Sequence, residues 1–256
     1  MNIIDGHKIA NQIKDEIVKD ILEINDQERD LQKAKAEAGH RPNLAIILIG
    51  PREDSRIYVG LKEKEAKKVG VDTHLYKCEE DITTKEVLEM VQYLNNDPKI
   101  DGVFVQLPLP SHLDTDQIVS AIDPSKDVDR FHPENIKKLQ ESADYSEDLI
   151  LPPVFRVVSA VLEHINWDLP GKSACIMANA DIFKENLAHF LQKKGFTPIT
   201  TSIDDPEIVR KTSRADLLIT AVGESNVVNK KMVKEGATVI DVGITRDEEG
   251  RIKGDV

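Results

Sequence analysis

Ser55, Tyr58 and Lys62 fall at i, i+3 and i+7, a spacing that lines up a hydroxyl, a phenol and an amine on one stripe of a helix. Groups of these types can move protons to and from a substrate. The plainer reading is a solvated helix face, because Lys62 opens the charge run KEKEAKK. Gln106 interrupts the apolar run IDGVFVQLPLP with an amide that must find partners if buried, whether its role is chemical or structural. In KDVDRFHP, Asp127 and Asp129 bring two carboxylates to a loop, where aspartate is also a common turn former. The seven His residues show no HxxxH or HExxH spacing and Cys78 lies far from Cys175, so no metal centre is expected. No GxSxG elbow occurs, which leaves a serine hydrolase unsupported.

These residues need elements to hold them. Residues 7–38 place Ile9, Ile13, Ile17, Ile21 and Leu22 at helical spacing and then turn polar, predicting a long amphipathic helix. LAIILIG reads as a buried strand, SRIYVGLKEKEAKKVG as a helix and VDTHLYKC as a strand. TTKEVLEMVQYLNND follows as a helix, IDGVFVQLPLP as a strand, DTDQIVSAI as a short helix and DPSKDVDRFHPEN as a loop. The acidic, aperiodic segment ESADYSEDLILPP marks a domain boundary near residues 143–153. Beyond it the alternation restarts: VFRVVSAVLEHI helix, SACIMA strand, KENLAHFLQKKG helix, TPITT strand, DPEIVRKTSRA helix, DLLITAVG strand, KKMVKEG helical turn and ATVIDVG strand. Two α/β domains with parallel sheets are expected, residues 1–147 and a Rossmann-like 148–256. In such sheets ligands collect at the carboxyl ends of the strands, which is where Ser55, Gln106 and the two aspartates follow.

A chain of 256 residues with 40% hydrophobic content can bury two cores. Its 46 acidic against 34 basic side chains give a formal charge of −12, which argues against nonspecific nucleic-acid or anionic-membrane binding. A small-molecule ligand is expected instead. Two cysteines without a CxxC pair, an early-charged amino terminus and no apolar run near the roughly 18 residues of a membrane span predict a cytoplasmic protein.

Taken together, S-x-x-Y-V-x-x-K at 55–62, VQLPLP at 105–110, KDVD at 126–129, FHPEN at 131–135 and KEGATVIDVGI at 234–244 resemble the bifunctional FolD family. These are methylenetetrahydrofolate dehydrogenase/cyclohydrolases, and the likeness runs from IIDG to GDV. It implies a homodimer with an active site in a cleft between its two domains. It also implies oxidation of 5,10-methylenetetrahydrofolate with NADP, then hydrolysis to 10-formyltetrahydrofolate. By resemblance Tyr58 packs beside the folate, Lys62 serves water attack, Gln106 positions Lys62 and Asp129 holds the pterin. Gly223, Gly243 and Ile244 are the implied cofactor contacts, although glycine turns beside buried strands need no ligand to explain them.

The sequence also departs from the family. The glycine-rich loop expected after the first strand of the second domain is replaced by Ala178 to Asn186, which includes Asp181 and Glu185. Asp204 and Asp205 stand where a basic or hydroxyl group commonly meets the 2′-phosphate, and would repel it. Arg130 replaces a glycine beside Asp129, residues 153–156 replace a Pro-Cys-Thr-Pro stretch, and the family's PGGVGPMT segment does not follow Val256. These changes argue for the cyclohydrolase step over the NADP-dependent one. NAD is the alternative cofactor, and a noncatalytic binding paralogue is the alternative function.

Overall fold

The isoleucine repeat forms α1 (Gly6–Leu31), in which Ile9, Ile13, Ile17 and Ile21 are half-buried and Leu22 is exposed. The computed structural model describes residues 3–31, 41–142, 150–167, 170–246 and 249–256. The polar extension expected at 32–38 and the expected boundary at 147/148 lie outside the described residues. By internal contacts the chain divides into two units, Met1–Asn135 and Ile136–Val256.

In the first unit, β1 (Asn43–Ile49), α2 (Glu53–Val69), β2 (Asp72–Cys78), α3 (Thr84–Asn96) and β3 (Gly102–Val105) alternate as expected. The sheet is parallel in the order β2-β1-β3, with Ile46 opposite Phe104 and Ile47 opposite Val105. Every residue from Ala45 to Ile49 is buried because both faces are covered. Ala45, Ile47 and Ile49 join Val87, Val91 and Leu94 of α3 in one cluster. Ile46, Leu48 and Phe104 meet Val59 of α2 on the other face. A capping box between Thr83 and Glu86 starts α3, and α4 (Thr115–Val119) follows the prolines that end β3.

Next comes α5 (Pro133–Glu141), beginning inside the FHPEN stretch read from sequence as loop. Pro133 presets the first helical turn and needs no donor there. Further on, Leu139 belongs to the core of the second unit.

In the second unit, α6 (Pro153–Ile165), β4 (Ser173–Ala178), α7 (Asp181–Lys193), β5 (Thr197–Thr201), α8 (Ile208–Thr212), β6 (Leu217–Ala221), a 3-10 turn (Lys230–Met232) and β7 (Thr238–Asp241) follow the predicted alternation. The sheet is parallel, β5-β4-β6-β7. Alternate residues of β4 serve opposite cores, Ala174 and Ile176 on one side and Cys175 and Met177 on the other. Phe155, in the stretch that departs from the family, is a core residue 6.2 Å from Phe183 and 5.6 Å from Phe190 by ring centroid. Among the described residues, no helix is long and apolar enough to cross a membrane.

A short antiparallel pair, β8 (Thr245–Arg246) with β9 (Ile252–Lys253), returns the chain to the carboxyl end of this sheet. There Asp255, 0% exposed, accepts the backbone N–H groups of Val222, Gly223 and Glu224 at 2.8, 2.9 and 3.1 Å. Asp241 mirrors it, accepting from the Thr220 hydroxyl and from the Gly243 and Val256 N–H groups. Neither carboxylate leaves room opposite: a Cβ on Gly243 would lie 2.0 Å from Asp255 Oδ1, and one on Gly254 1.9 Å from Asp241 Oδ2. Asp255→Ala strands these donors, at roughly 1–3 kcal/mol for each one left unsatisfied. Urea denaturation is expected to give a stability loss of about 3 kcal/mol or more for Asp255→Ala, with Gly243→Ala also destabilising and Asp255→Asn losing less than Asp255→Ala.

Candidate active site

Along α2, Ser55, Val59 and Lys62 share one stripe, and its first two members are buried against the sheet. Val59 packs on Ile46, Leu48 and Phe104, so Lys62, one turn later, leaves the core at its edge. The Lys62 Nζ donates to Gln106 Oε1 at 3.2 Å and lies 4.0 Å from the centroid of the Phe104 ring. Other members of its charge run behave as a solvated face. Glu65 accepts from Lys14 of α1 and from Lys68. Lys62 stands apart from that network, half-buried and turned to β3. Tyr58, one turn before it, is 36% exposed.

Gln106 satisfies both ends of its amide. Its Oε1 accepts from Lys62, its Nε2 donates to the Leu107 carbonyl at 2.7 Å, and its backbone N–H extends the β1 pairing to Ile47 O. The strand thus fixes the backbone, and the amide fixes the amine.

Asp127 and Asp129 divide the loop's work. Asp127 is buried and accepts from the backbone N–H groups of Arg130 and His132 and from Asn135 Nδ2, at 3.0, 2.8 and 3.0 Å. It is the turn former. Asp129, two residues on, is partly exposed, and among the described residues no hydrogen-bond donor reaches its carboxylate. Arg130 adopts φ 61, a left-handed conformation costing a side-chain-bearing residue about 1–2 kcal/mol. Its Nη1 donates to the Pro124 carbonyl at 3.0 Å, so the guanidinium is engaged there and not with Asp129.

The charges interact. Burial pushes the Lys62 pKa below the usual lysine range, and Asp129 opposes that shift. Burial pushes Asp129 up, Lys62 pulls it down and Asp127 adds to the rise. Burial also raises the Tyr58 phenol. The first unit therefore brings an amine, an amide and a carboxylate into one electrostatic neighbourhood, with the phenol one helical turn from the amine. Asp127 takes the turn-forming role that the sequence offered, whereas Phe104 was not singled out, because an apolar strand residue gives no sign of the cation it will meet.

Gly223, Gly243 and Ile244 belong to the second unit. The Gly223 N–H is taken by Asp255, Gly243 is required by the same carboxylate, and Ile244 is exposed. The loop after β4 has Asn179 donating to the Val222 carbonyl, and Ala180, the N-cap of α7, provides no side-chain cap. Lys184 is already paired with Asp181 at 2.7 Å. At the end of β5, Asp205 accepts from Lys211, from the Glu207 N–H and from Thr201, which hold its pKa at about 2. Asp204 is exposed, with no hydrogen-bond partner for its carboxylate among the described residues. The bases nearest these loops are neutralised, leaving Asp204 and Glu185 as negative charge. The charge left uncompensated at these loops is therefore negative, the sign that repels a phosphate.

Comparison with known proteins follows the same division. Residues 4–129 match the family model described as tetrahydrofolate dehydrogenase/cyclohydrolase, catalytic domain, and residues 152–256 its NAD(P)-binding domain. The bifunctional protein FolD of Nautilia profundicola is 38% identical over 256 residues, all of this chain and 85% of that protein. The crystal structure of the bifunctional enzyme FolD from Campylobacter jejuni superimposes with a TM-score of 0.81 at 35% identity, covering 96% of this chain and 83% of that one. The Trypanosoma brucei FolD structure, complexed with NADP cofactor and inhibitor, gives 0.86 at 30% identity over 100% of this chain and 85% of that one. With both halves matched, the chain belongs to the tetrahydrofolate dehydrogenase/cyclohydrolase family.

Proposed function

We propose that this protein is a one-carbon enzyme of tetrahydrofolate metabolism that converts 5,10-methylenetetrahydrofolate to the methenyl and 10-formyl forms, with hydrolysis performed at Lys62. The observation that carries this reading is the half-buried Lys62 amine, 3.2 Å from Gln106 and within the field of Asp129. The methenyl carbon is an amidinium-like cation. Water adds to it as neutral Lys62 takes the water's proton. The carbon–nitrogen bond to N5 then breaks as N5 receives a proton from the Lys62 ammonium, and the hydroxyl of the adduct loses its proton to solvent to become the formyl C=O on N10. Gln106 holds the amine in place, the exposed ring of Tyr58 offers a surface for the folate, and Asp129 accepts from paired pterin N–H donors. The substrate's positive charge lowers the Lys62 pKa further. Family likeness supports a cytoplasmic homodimer.

The oxidative half needs a nicotinamide dinucleotide as hydride acceptor. We infer that NAD is preferred, because Asp204 is free to accept ribose hydroxyls and repels a phosphate in their place. Isothermal calorimetry is expected to give NAD a Kd at least about tenfold below that of NADP, a ratio set by roughly 1.4 kcal/mol. Equal affinities would remove this preference.

Lys62→Met keeps the aliphatic stem and removes the amine. Loss of methenyltetrahydrofolate absorbance is expected to slow by roughly 10²-fold or more, and an unchanged rate would refute the assignment. The sign of the pH effect is also set. Burial lowers the Lys62 pKa, so its neutral form accumulates at lower pH than for a free lysine. The rate above the Lys62→Met background should rise with pH and level off below the ordinary lysine range.

A further inference from the structure

Phe104 sits inside β3, 3% exposed, between two valines whose side chains serve the opposite face of the sheet. Its ring meets Val59 at one place and the Lys62 ammonium, 4.0 Å from the ring centroid, at another. Gln106 lies two residues along the same strand, so ring and amide face the same side. The amine is therefore held by two contacts of different kinds. One is a directional hydrogen bond, and the other is the negative face of an aromatic quadrupole. A lysine has four rotatable side-chain bonds, and a single hydrogen bond leaves much of that freedom. The second contact removes it.

We propose that Phe104 is a positioning residue for the hydrolysis: its ring face, together with Gln106, holds the Lys62 amine at one place, which a saturated side chain of similar size would not do. The inference rests on the reading of Lys62 given above. It also fixes a direction, because a ring face favours the ammonium over the neutral amine and so opposes the burial that favours the neutral form. Among the other charged groups, Asp129 on the loop after β3 acts on this lysine and Asp127 acts in turn on Asp129, while Tyr58, Glu63 and Glu65 are its sequence neighbours on α2, Glu65 being bound to Lys14 and Lys68. None of them changes when the ring's electrons are altered.

The test replaces Phe104 in the full chain by a graded series of fluorinated phenylalanines, from mono- to pentafluoro, which nearly keep the shape while progressively weakening the negative face. Two quantities are followed: the titration of Lys62 by NMR of labelled lysine, assigned through Lys62→Met, and the pH profile of methenyltetrahydrofolate hydrolysis. The Lys62 midpoint is expected to fall steadily with fluorine number, by about 0.5–1 pH unit at the pentafluoro end. Plateau kcat should fall about three- to tenfold with KM unchanged, and its rising limb should move to lower pH. A midpoint and plateau insensitive to fluorination would overturn the proposal, as would a loss confined to KM. If Lys62→Met proves as active as the wild type, the reading of Lys62 as base fails. The NMR midpoints would then still decide whether the ring holds the amine.

Discussion

A charged amine at the margin of an apolar core is costly to desolvate, and the first unit is arranged around that cost. The Lys62 ammonium has a carbonyl oxygen at hydrogen-bond distance, an aromatic face below it and a carboxylate in its electrostatic neighbourhood. Two partners come from β3 and the residue that continues it, the third comes from the loop beyond, and each piece is fixed by something else. Val59 anchors α2 to the sheet, the β1 pairing fixes β3, and buried Asp127 ties the loop that carries Asp129. Burial lowers the proton affinity of the amine, and these contacts, which favour the ammonium, oppose that shift.

The second unit uses its acidic residues differently. Asp255 and Asp241 spend their charge on backbone N–H groups at the carboxyl end of the sheet, and Asp205 is bound by a lysine, a threonine and a backbone N–H. The fold itself thereby explains Gly223 and Gly243, residues whose presence in a dinucleotide-binding family suggests ligand contact. Asp204, by contrast, is exposed and takes no part in this packing.

Much of this organisation could be read in the sequence. Runs such as LAIILIG and SACIMA are apolar throughout because helices cover both faces, and they became central strands as expected. Spacing alone read Lys62 as a solvated face, the family resemblance paired it with Gln106, and the two side chains meet. Other features required coordinates. Pro133 opens a helix where FHPEN reads as loop, since proline serves turns and first helical positions alike. Arg130, a potential partner for Asp129 by adjacency, sends its guanidinium to Pro124 because its backbone takes the left-handed turn. Phe104 carries no local signal at all, since its contact with Lys62 joins residues from separate elements.

The interlock of Asp241, Gly243, Gly254 and Asp255 has a corollary. Each carboxylate occupies the space a side chain would need on the opposite glycine, and each also quenches backbone donors. A change at any one of the four therefore leaves either a steric collision or an orphaned amide, so the four positions act as one packing unit.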